Sequence, residues 1–417
     1  MRVIVIGGGA VGLCAAEALS QRGCEVTVFE RDRCGAGVSA GNAGWITPSL
    51  AKPVPAPGVI ATSLRWLVDP SGPLWIRPTL EPALLAWIAR FVASCRAPVY
   101  QQGLAALQRA AALAPVAFDA LAARGVEFEQ HEDPLVFPAF AQAELEYLWR
   151  MGEELHQAGS RQRVERLTSD ELHSLEPALS GGVIGGVIAH GERRVRPERF
   201  TAGVHRAVVA RGVEVREVTP VTGLARDGTE WRVDSPAGPR PADAVVIAVG
   251  FEAAALLAPH GVRLPIAAAK GYSRTYARGA TAPRQAVYLE DPKVAISVFE
   301  EGVRVSGTLE LGARSLALSA RRLEAITAAA RKALPGWEMP AQSRDWAGMR
   351  SLSADGLPFI GPVPGMDGVH LAAAHGTLGI TLAPLTGELL TGMLLDGARD
   401  ALLGAFDPGR AIRGGRQ

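Results

Sequence analysis

A glycine-rich turn near the amino terminus constrains the fold of this chain more than any other feature. Residues 3–6 (VIVI) form the continuous apolar run of a strand buried on both faces, and residues 7–12 (GGGAVG) follow at once. An Ala/Leu-rich helical pattern then runs to Arg22, and a second apolar strand ends at Glu30. This order of elements is half of a βαβ unit, and it predicts a Rossmann-type dinucleotide-binding fold.

Each glycine of this turn has a separate physical role. Gly7 permits the tight turn, Gly9 lets a pyrophosphate approach the backbone, and Gly12 lets the helix pack closely on the strand. Glu30 lies 18 residues after Gly12, where its carboxylate can accept hydrogen bonds from both ribose hydroxyls and would repel a 2′-phosphate. An NADP-type ligand is therefore disfavoured. The residues predicted to contact the dinucleotide are Gly7, Gly9, Ala10, Val11, Gly12, Glu30 and Arg31.

Length and composition narrow the class of protein. A chain of 417 residues is nearly three times the roughly 150 residues of one domain, so two or three domains are expected. Hydrophobic residues make up 48% of the chain and charged residues 20%, which excludes a long disordered protein. The net charge of +1, without a long basic stripe, disfavours a nucleic-acid partner.

The cysteines bear on metal binding and on cellular compartment. The chain has four of them, and they form no Cys-x-x-Cys pair and show no metal-ligand spacing with a histidine. This pattern predicts reduced thiols, no metal site and a cytoplasmic protein.

The α/β pattern is interrupted and then returns. Residues 51–191 read as helical segments with little strand signal, and residues 181–186 (GGVIGG) lack the spacing of a second dinucleotide motif and read as a turn. Residues 264–311 alternate as an antiparallel sheet does. We therefore expect an α/β (mixed α+β) fold in which a Rossmann-type domain is interleaved with a substrate-binding domain of antiparallel sheet plus helices. The predicted boundaries are 1–50, 192–263 and 340–417 for the first domain and 51–191 and 264–339 for the second.

One helical segment leaves two interpretations open. Its apolar residues recur at spacings of three and four, which indicates one buried helix face, at Leu84, Trp87, Ile88, Phe91 and Cys95. Packing against the protein core explains this pattern. Contact with a membrane surface explains it too, because tryptophans and arginines alternate nearby, at Trp66, Trp75, Trp87, Arg65, Arg77 and Arg90.

Several motifs, in order along nearly the whole chain, resemble those of one known group of enzymes. They are residues 39–48 (SAGNAGWITP), 270–273 (KGYS), 304–308 (RVSGT), 346–350 (WAGMR), 355–361 (DGLPFIG) and 375–381 (HGTLGIT). The sequence resembles the FAD-dependent D-amino acid dehydrogenases, within the wider group of D-amino acid oxidase, glycine oxidase and sarcosine oxidase. The resemblance implies that the dinucleotide is FAD and that the first domain is an FAD-binding domain.

The resemblance also implies where the cofactor would lie. The loop with Ser39, Asn42, Ala43 and Gly44 would run along the flavin ring, where small residues let a planar group pass close to the backbone. Val221, Val249 and Gly250 would border the adenosine. The loop before the helix at Pro384 would face the pyrimidine edge of the flavin, where a helix start stabilises negative charge. Its expected contact residues are Gly376, Leu378, Gly379, Ile380 and Thr381.

Three side chains are the candidates for substrate contact. Arg350 is expected to hold the substrate carboxylate, because a guanidinium matches a carboxylate with two parallel hydrogen bonds. The segment resembles one in glycine oxidase, where the arginine precedes a proline, but Ser351 follows here, and Thr377 lies where some relatives have a second arginine. Tyr272 could donate its hydroxyl to the same carboxylate or could pack at the sheet edge. His375 could touch flavin or substrate or could be a hydrogen-bonded structural residue.

The expected reaction is oxidation of a D-amino acid to an imino acid, which water converts to a 2-oxo acid and ammonia. All cysteines lie at or before Cys95, whereas sarcosine oxidases tether flavin further downstream, so we expect non-covalent FAD. No lysine follows Lys332, which favours a quinone or other carrier over oxygen as electron acceptor. Three alternatives stay open: a cyclic imino acid such as D-proline or hydroxyproline as substrate, an NAD-linked dehydrogenase, and a non-catalytic dinucleotide-binding protein. The protein is expected in the cytoplasm, either free or peripheral on the inner face of the membrane.

Overall fold

The computed structural model describes residues 1–61, 63, 72–398 and 400–412. Its strands are β1 (Arg2–Ile6), β2 (Glu25–Phe29), β3 (Trp45–Ile46), β4 (Leu74–Ile76), β5 (Gln130–Glu132), β6 (Leu135–Ala139), β7 (Val164–Thr168), β8 (Gly185–Ala189), β9 (Arg193–Val195), β10 (Glu214–Arg216), β11 (Gly223–Asp227), β12 (Glu230–Asp234), β13 (Arg240–Ala242), β14 (Ala244–Ile247), β15 (Ile266–Ala277), β16 (Ala286–Leu289), β17 (Val294–Val298), β18 (Gly302–Leu311), β19 (Ser343–Ser353), β20 (Phe359–Pro362) and β21 (Val369–Ala373). Its helices are α1 (Ala10–Gln21), α2 (Pro82–Ser94), α3 (Ala97–Ala123), α4 (Gln142–Gln157), α5 (Ser169–Leu175), α6 (Pro197–Ala210), α7 (Ala253–Leu257), α8 (Ala320–Ala333), α9 (Ala383–Asp396), α10 (Ala401–Phe406) and α11 (Gly409–Ile412).

The first sheet has the strand order β10-β2-β1-β14-β21-β20, with all neighbours parallel except the pair of β20 and β21. Strand β1 lies near its centre and is apolar on both faces. Val3 and Val5 pack against α1, α6 and α9, while Ile4 and Ile6 pack against Trp231 of a small sheet formed by β11, β12 and β13. The Rossmann-type fold predicted from residues 2–30 is confirmed.

The second sheet has the order β19-β15-β18-β17-β16-β6-β8-β7, with β4 paired to β18. Most of its neighbours are antiparallel, as predicted for residues 264–311. Side chains alternate between its two faces, and α8 covers one of them through Leu323, Ile326 and Ala330. The other face is turned towards the first domain and carries the residues described below.

Some expectations about element positions were wrong. Residues 51–191 contain β4 to β8, because short, fully buried strands such as β6 (LVFPA) show no alternation that distinguishes them from helix. The expected turn at residues 181–186 overlaps the start of β8 at Gly185.

The domain boundaries also differ in two places. Strand β19 pairs with β15 of the second sheet along its length, although residue 340 was the predicted start of the last Rossmann segment. Helix α3, expected in the second domain, packs in the core that contains α1 and α9.

Helix α2 buries the face predicted from its spacing. Leu84 and Trp87 pack on Ala267 and Leu352 of the second sheet, and the Trp87 indole donates to the Leu352 carbonyl at 3.1 Å. Core packing therefore explains the pattern of this face. Of the tryptophan and arginine residues that suggested membrane contact, Arg65 and Trp66 lie outside the described residues.

Among the described helices, α3 alone has the length and apolarity of a membrane span. Within the protein, 56% of its most apolar stretch is buried, and Leu107, Ala110 and Phe118 lie in the core of the first domain. A core helix has these same properties, so α3 carries little weight as evidence for a membrane span.

Candidate active site

The glycine turn adopts the conformation that its sequence predicts. Gly7 has a φ of +107°, and a Cβ atom there would lie 2.6 Å from the carbonyl oxygen of Ala248 at the end of β14. A Cβ atom on Gly12 would overlap the carbonyl oxygen of Gly7. Close packing of β1, β14 and α1 therefore requires glycine at both positions. This packing places the first turn of α1, with its backbone amides, at the carboxyl edge of the sheet.

Glu30 is held at the same edge. Its Oε2 accepts the Gly8 amide at 2.7 Å and its Oε1 accepts the Asp32 amide at 2.9 Å. The main chain of Thr219 donates to the Glu30 carbonyl at 2.8 Å, which places the segment leading to Val221 alongside. A fixed carboxylate with unused lone pairs at this edge suits the hydroxyls of a ribose.

The other expected residues of this end lie at its rim. Val249 and Gly250 follow β14, and the Val249 side chain lies against Gly7. Arg31 forms ion pairs with Glu252 and Asp32 and is more than half exposed. Its side chain therefore faces the surface. Its positive charge is already paired with two carboxylates and is not available to a phosphate.

The segment of residues 39–44, called the flavin loop below, crosses from the first domain to the second. Ser39 accepts the Ala10 amide through Oγ at 3.1 Å, and Asn42 accepts the Gly44 amide through Oδ1 at 2.8 Å. Gly44 has a φ of +78°, and a Cβ atom there would overlap the carbonyl oxygen of Val195. Ser297 of β17 donates to the Ala43 carbonyl at 2.8 Å. The loop is thus held from both sides without bulky side chains.

Arg304 of β18 is the strongest anchor of the flavin loop. Its Nη1 donates to the carbonyls of Ala40 at 2.9 Å and Asn42 at 2.7 Å, its Nε donates to Thr275 at 3.0 Å, and its Nη2 pairs with Glu198 at 2.5 Å. Sequence reasoning did not assign it a role. The available signal in the sequence was an arginine between two valines of the strand β18.

The last glycine loop, residues 375–381, contacts the chain directly after the flavin loop. Ala374 and Gly376 both have positive φ, and the Gly376 amide donates to the Ser351 carbonyl at 2.9 Å. Thr381 donates through Oγ1 to the Trp45 carbonyl at 2.8 Å. The structure therefore brings together the two segments that were predicted to flank one planar group. Helix α9 begins two residues later, so its positive end lies at this junction.

His375 lies in this loop as a buried, hydrogen-bonded residue. Its Nε2 lies 3.0 Å from the Thr386 hydroxyl of α9, and burial lowers the pKa of the imidazole to about 4. At neutral pH the ring is therefore neutral. It also lines a small cleft together with Trp87, Leu352 and Gly376.

Arg350 is a cation without a protein partner. Within the described part of the chain, its guanidinium makes no hydrogen bond or ion pair, and burial lowers its pKa. The guanidinium covers Gly271 of β15, where a Cβ atom would lie 2.9 Å from Nε. Arg350 pairs with Ala269 in the β15–β19 register, so its side chain shares the sheet face of Trp346 and Arg304. A partly buried guanidinium without a protein partner is suited to a carboxylate ligand.

The structure places Tyr272 on the opposite face of the sheet. Tyr272 pairs with Ala347 of β19, which lies an odd number of residues from Arg350, so the two side chains are on opposite faces. The Tyr272 ring is fully buried beneath α8, where it packs with Ile326 and other residues. Its hydroxyl donates to Glu310 at 2.7 Å. The expected contact of Tyr272 with the substrate carboxylate is therefore wrong, because the strand period of two directs this side chain away from Arg350.

Two residues near Arg350 were missed. Tyr288 lies on the Arg350 face of the sheet, and burial together with Glu290 and Tyr147 holds the pKa of its phenol above the usual range, while Arg350 lowers it. Lys52 lines the pocket beside His375, and burial lowers its pKa. No local signal marked Tyr288. Lys52 is one of four lysines in the chain and lies in a proline-rich segment, which was a usable signal.

Comparison with known proteins decides the family. The model of the family described as FAD dependent oxidoreductase matches residues 2–393. The chain belongs to this FAD-dependent oxidoreductase family. It is 33% identical to a D-amino acid dehydrogenase of Methylobacterium nodulans, over 97% of this chain and 99% of that one. It is 31% identical to a D-amino acid dehydrogenase of Xanthobacter autotrophicus, over 94% and 95%.

Solved structures agree with this assignment. The crystal structure of glycine oxidase from Geobacillus kaustophilus has a TM-score of 0.78 and 25% identity, with 99% of each chain covered. The L-proline dehydrogenase of P. horikoshii has a TM-score of 0.74 at 20% identity and shares the fold, with 100% of this chain and 99% of that one covered.

The residues present fit the FAD that defines this oxidoreductase family. At Gly9, just before α1, a Cβ atom would lie 3.4 Å from Ser39 Oγ, so glycine keeps this helix start open to a phosphate. Glu30 would accept hydrogen bonds from the ribose of a bound FAD, and the flavin loop and the last glycine loop would border its ring with small residues. The alternative of an NAD-linked dehydrogenase is excluded by the family.

Proposed function

We propose that the protein is an FAD-dependent D-amino acid dehydrogenase. It oxidises a D-amino acid to the imino acid, which water converts to a 2-oxo acid and ammonia. The observation that carries this proposal is Arg350, a guanidinium with no partner among the described residues, on the sheet face that meets the flavin loop. The names of the curated relatives support the same substrate class.

Arg350 binds the substrate carboxylate through two parallel hydrogen bonds and so orients the α-carbon. Because the guanidinium is partly buried, the carboxylate gains more from the contact than it would on the protein surface. FAD, when bound, supplies the acceptor for the α-hydrogen as hydride. A neutral amine needs no general base for this step, and the neutral His375 serves to hold the last glycine loop to α9.

Anaerobic reduction of the flavin tests the cofactor, the chemistry and the substrate class together. Purified enzyme is mixed with a panel of D-amino acids, their L-enantiomers, D-proline and hydroxyproline, and the bleaching of the yellow flavin bands is followed. We expect bleaching by at least one D-amino acid and none by its L-enantiomer. Bleaching by cyclic imino acids alone would favour the second substrate class, and a colourless protein or no bleaching would overturn the proposal.

We further propose that FAD is held without a covalent bond and that its electrons pass to a quinone or another carrier. Cys14, Cys24, Cys34 and Cys95 are free thiols, and they lie outside the flavin loop and the last glycine loop. Acid precipitation should therefore release all the flavin into the supernatant. Turnover with a soluble quinone should exceed turnover with oxygen, and faster oxygen consumption would contradict the acceptor assignment.

We also propose that the enzyme works in the cytoplasm and touches the inner face of the membrane. Leu80, Leu85 and Val92 expose apolar surface around α2, on the side away from its buried Trp87. Free cysteines suit a reducing compartment. Flotation with anionic liposomes tests the contact: wild-type protein should float, and a variant with serine at these three positions should stay at the bottom. Equal behaviour would exclude contact through α2.

A further inference from the structure

A cluster of three chemically different ligands lies outside the substrate site. Cys34 belongs to the segment after β2, His205 to α6, and Glu217 to the segment after β10. Their ligand atoms, one sulfur, one nitrogen and one oxygen, all lie within 4.8 Å of one another, and all three residues are half-buried. Three separate elements thus converge on one point at the edge of the first sheet.

We propose that Cys34, His205 and Glu217 form a binding site for a zinc-class divalent cation. Thiolate, imidazole and carboxylate are the donors that Zn²⁺ prefers, and three of them leave the fourth tetrahedral position to water. Ligand atoms around Zn²⁺ are about 3.5 Å apart, as follows from bond lengths of about 2.0–2.3 Å. Rotation of three side chains that already lie within 4.8 Å of one another is enough to reach that spacing.

The surroundings orient these ligands. The Cys34 amide donates to Glu217 Oε1 at 2.7 Å, which holds the carboxylate beside the thiol. Within the described residues, the His205 ring makes no hydrogen bond, so its lone pair is free for a metal. One thiolate and one carboxylate balance the two positive charges of the ion.

Metal binding here replaces a proton. A cysteine thiol must lose its proton to bind a metal ion as the thiolate. Binding of Zn²⁺ forms a sulfur–zinc bond and releases this proton to solvent, without any change of oxidation state. The residues involved are distinct from Arg350 and the two loops, so binding requires no substrate and no turnover.

Equilibrium dialysis of the oxidised holoenzyme against ZnCl₂ tests the site directly. We expect one tightly held Zn²⁺ per chain in the wild type and its loss in C34S and H205Q. The matched control is C24S, which removes another half-buried thiol that has no histidine or carboxylate partner in the cluster. Co²⁺ should give tetrahedral absorption bands in the red region, where flavin does not absorb. Equal retention of Zn²⁺ by wild type and C34S would overturn the proposal.

A second measurement needs no variant and therefore does not depend on the folding of C34S. Wild-type holoenzyme is treated with iodoacetamide, with and without ZnCl₂, and alkylation of each cysteine is quantified by mass spectrometry. We expect Zn²⁺ to reduce alkylation of Cys34 at least tenfold and to leave Cys24 unchanged. Unchanged alkylation of Cys34 would overturn the proposal. Neither measurement involves amino acid oxidation, so failure here is distinguishable from failure of the proposed function.

Discussion

Arg304 donates a hydrogen bond to the main-chain carbonyl of Asn42 at 2.7 Å, although the two residues are 262 positions apart in the chain. The arginine is only 2% exposed, and it belongs to the second sheet, whereas Asn42 belongs to the flavin loop that starts in the first domain. The conformation of the cofactor loop therefore depends on a side chain of the other domain.

Replacing Arg304 should weaken FAD binding. The substitution R304M leaves the carbonyls of Ala40 and Asn42 without their donor, and a buried unpaired carbonyl costs about 1–3 kcal/mol. We expect the Kd of FAD for the apoprotein to rise at least tenfold, measured by quenching of flavin fluorescence, and R304K to recover part of the affinity.

The matched control for R304M is R344M. Arg344 also pairs with Glu198, at 2.7 Å, but it is exposed and does not reach the flavin loop. R344M should bind FAD as the wild type does. Equal FAD affinity of R304M and wild type would show that the loop keeps its shape without the guanidinium.

Removing the positive charge of Arg350 should raise KM for the amino acid and leave the FAD content of the enzyme nearly unchanged. The guanidinium has no partner within the described residues that would be left unpaired, so R350M should fold and retain FAD. A charge-assisted, bidentate contact contributes about 3 kcal/mol, so kcat/KM for the best D-amino acid should fall at least about 100-fold. Steady-state kinetics measure this loss, with R350K intermediate. A KM equal to that of the wild type would remove Arg350 from the substrate site.

A methyl group on Gly271 should displace Arg350 without removing it. The Cβ atom of G271A would lie 2.9 Å from Nε and 3.0 Å from Cζ, and the guanidinium is the flexible partner that must move. A displacement of about 1 Å can cost about 100-fold in rate, so we expect kcat/KM to fall by about this factor while FAD stays bound.

The control for G271A is G279A, since a Cβ atom at Gly279 would meet nothing within 4 Å. Flavin absorbance and kinetics are compared for the two variants. Full activity of G271A would mean that the guanidinium position is not critical.

Gly12 should tolerate no side chain. In G12A the methyl group would overlap the carbonyl oxygen of Gly7, which is backbone and cannot yield as a side chain does. Overpacking of this kind costs about 1–3 kcal/mol or more, so Tm should fall and FAD should be lost, measured by thermal melting and flavin absorbance. G37A, where a Cβ atom meets nothing within 4 Å, should match the wild type. A yellow, stable G12A would contradict the packing described for α1.

Glu192 should make stability depend on pH. Burial raises the pKa of its carboxyl to about 8, while its Oε1 accepts the Ser49 amide at 3.1 Å. The folded protein then holds one more proton than the unfolded chain between the ordinary glutamate pKa of about 4.3 and pH 8. The free energy of unfolding therefore falls as pH rises through this window. E192Q cannot ionise, so its Tm relative to the wild type should be higher at pH 8.5 than at pH 5, and an identical difference at both pH values would refute this.

The candidate site could be predicted from the sequence only in part. The conformation of the glycine turn and the position of Glu30 beside it were predictable because both depend on neighbours within 30 residues. Arg350 was found by resemblance to a motif. Tyr272 was assigned wrongly, because its face of the sheet depends on the register with β19, whose residues lie about 75 positions further along the chain.

The sequence by itself determined the Rossmann-type unit, since the backbone conformation at Gly7 and Gly12 and the continuous apolar run of β1 are local properties. Only the tertiary structure decided that Arg304 anchors the flavin loop and that Arg350 has no partner within the described residues. It also joined Cys34 to His205 and Glu217, although their spacing in the chain predicted no metal site. The physical reason is that ion pairs and ligand sets form between elements far apart in the chain, and their geometry exists only after both sheets have packed.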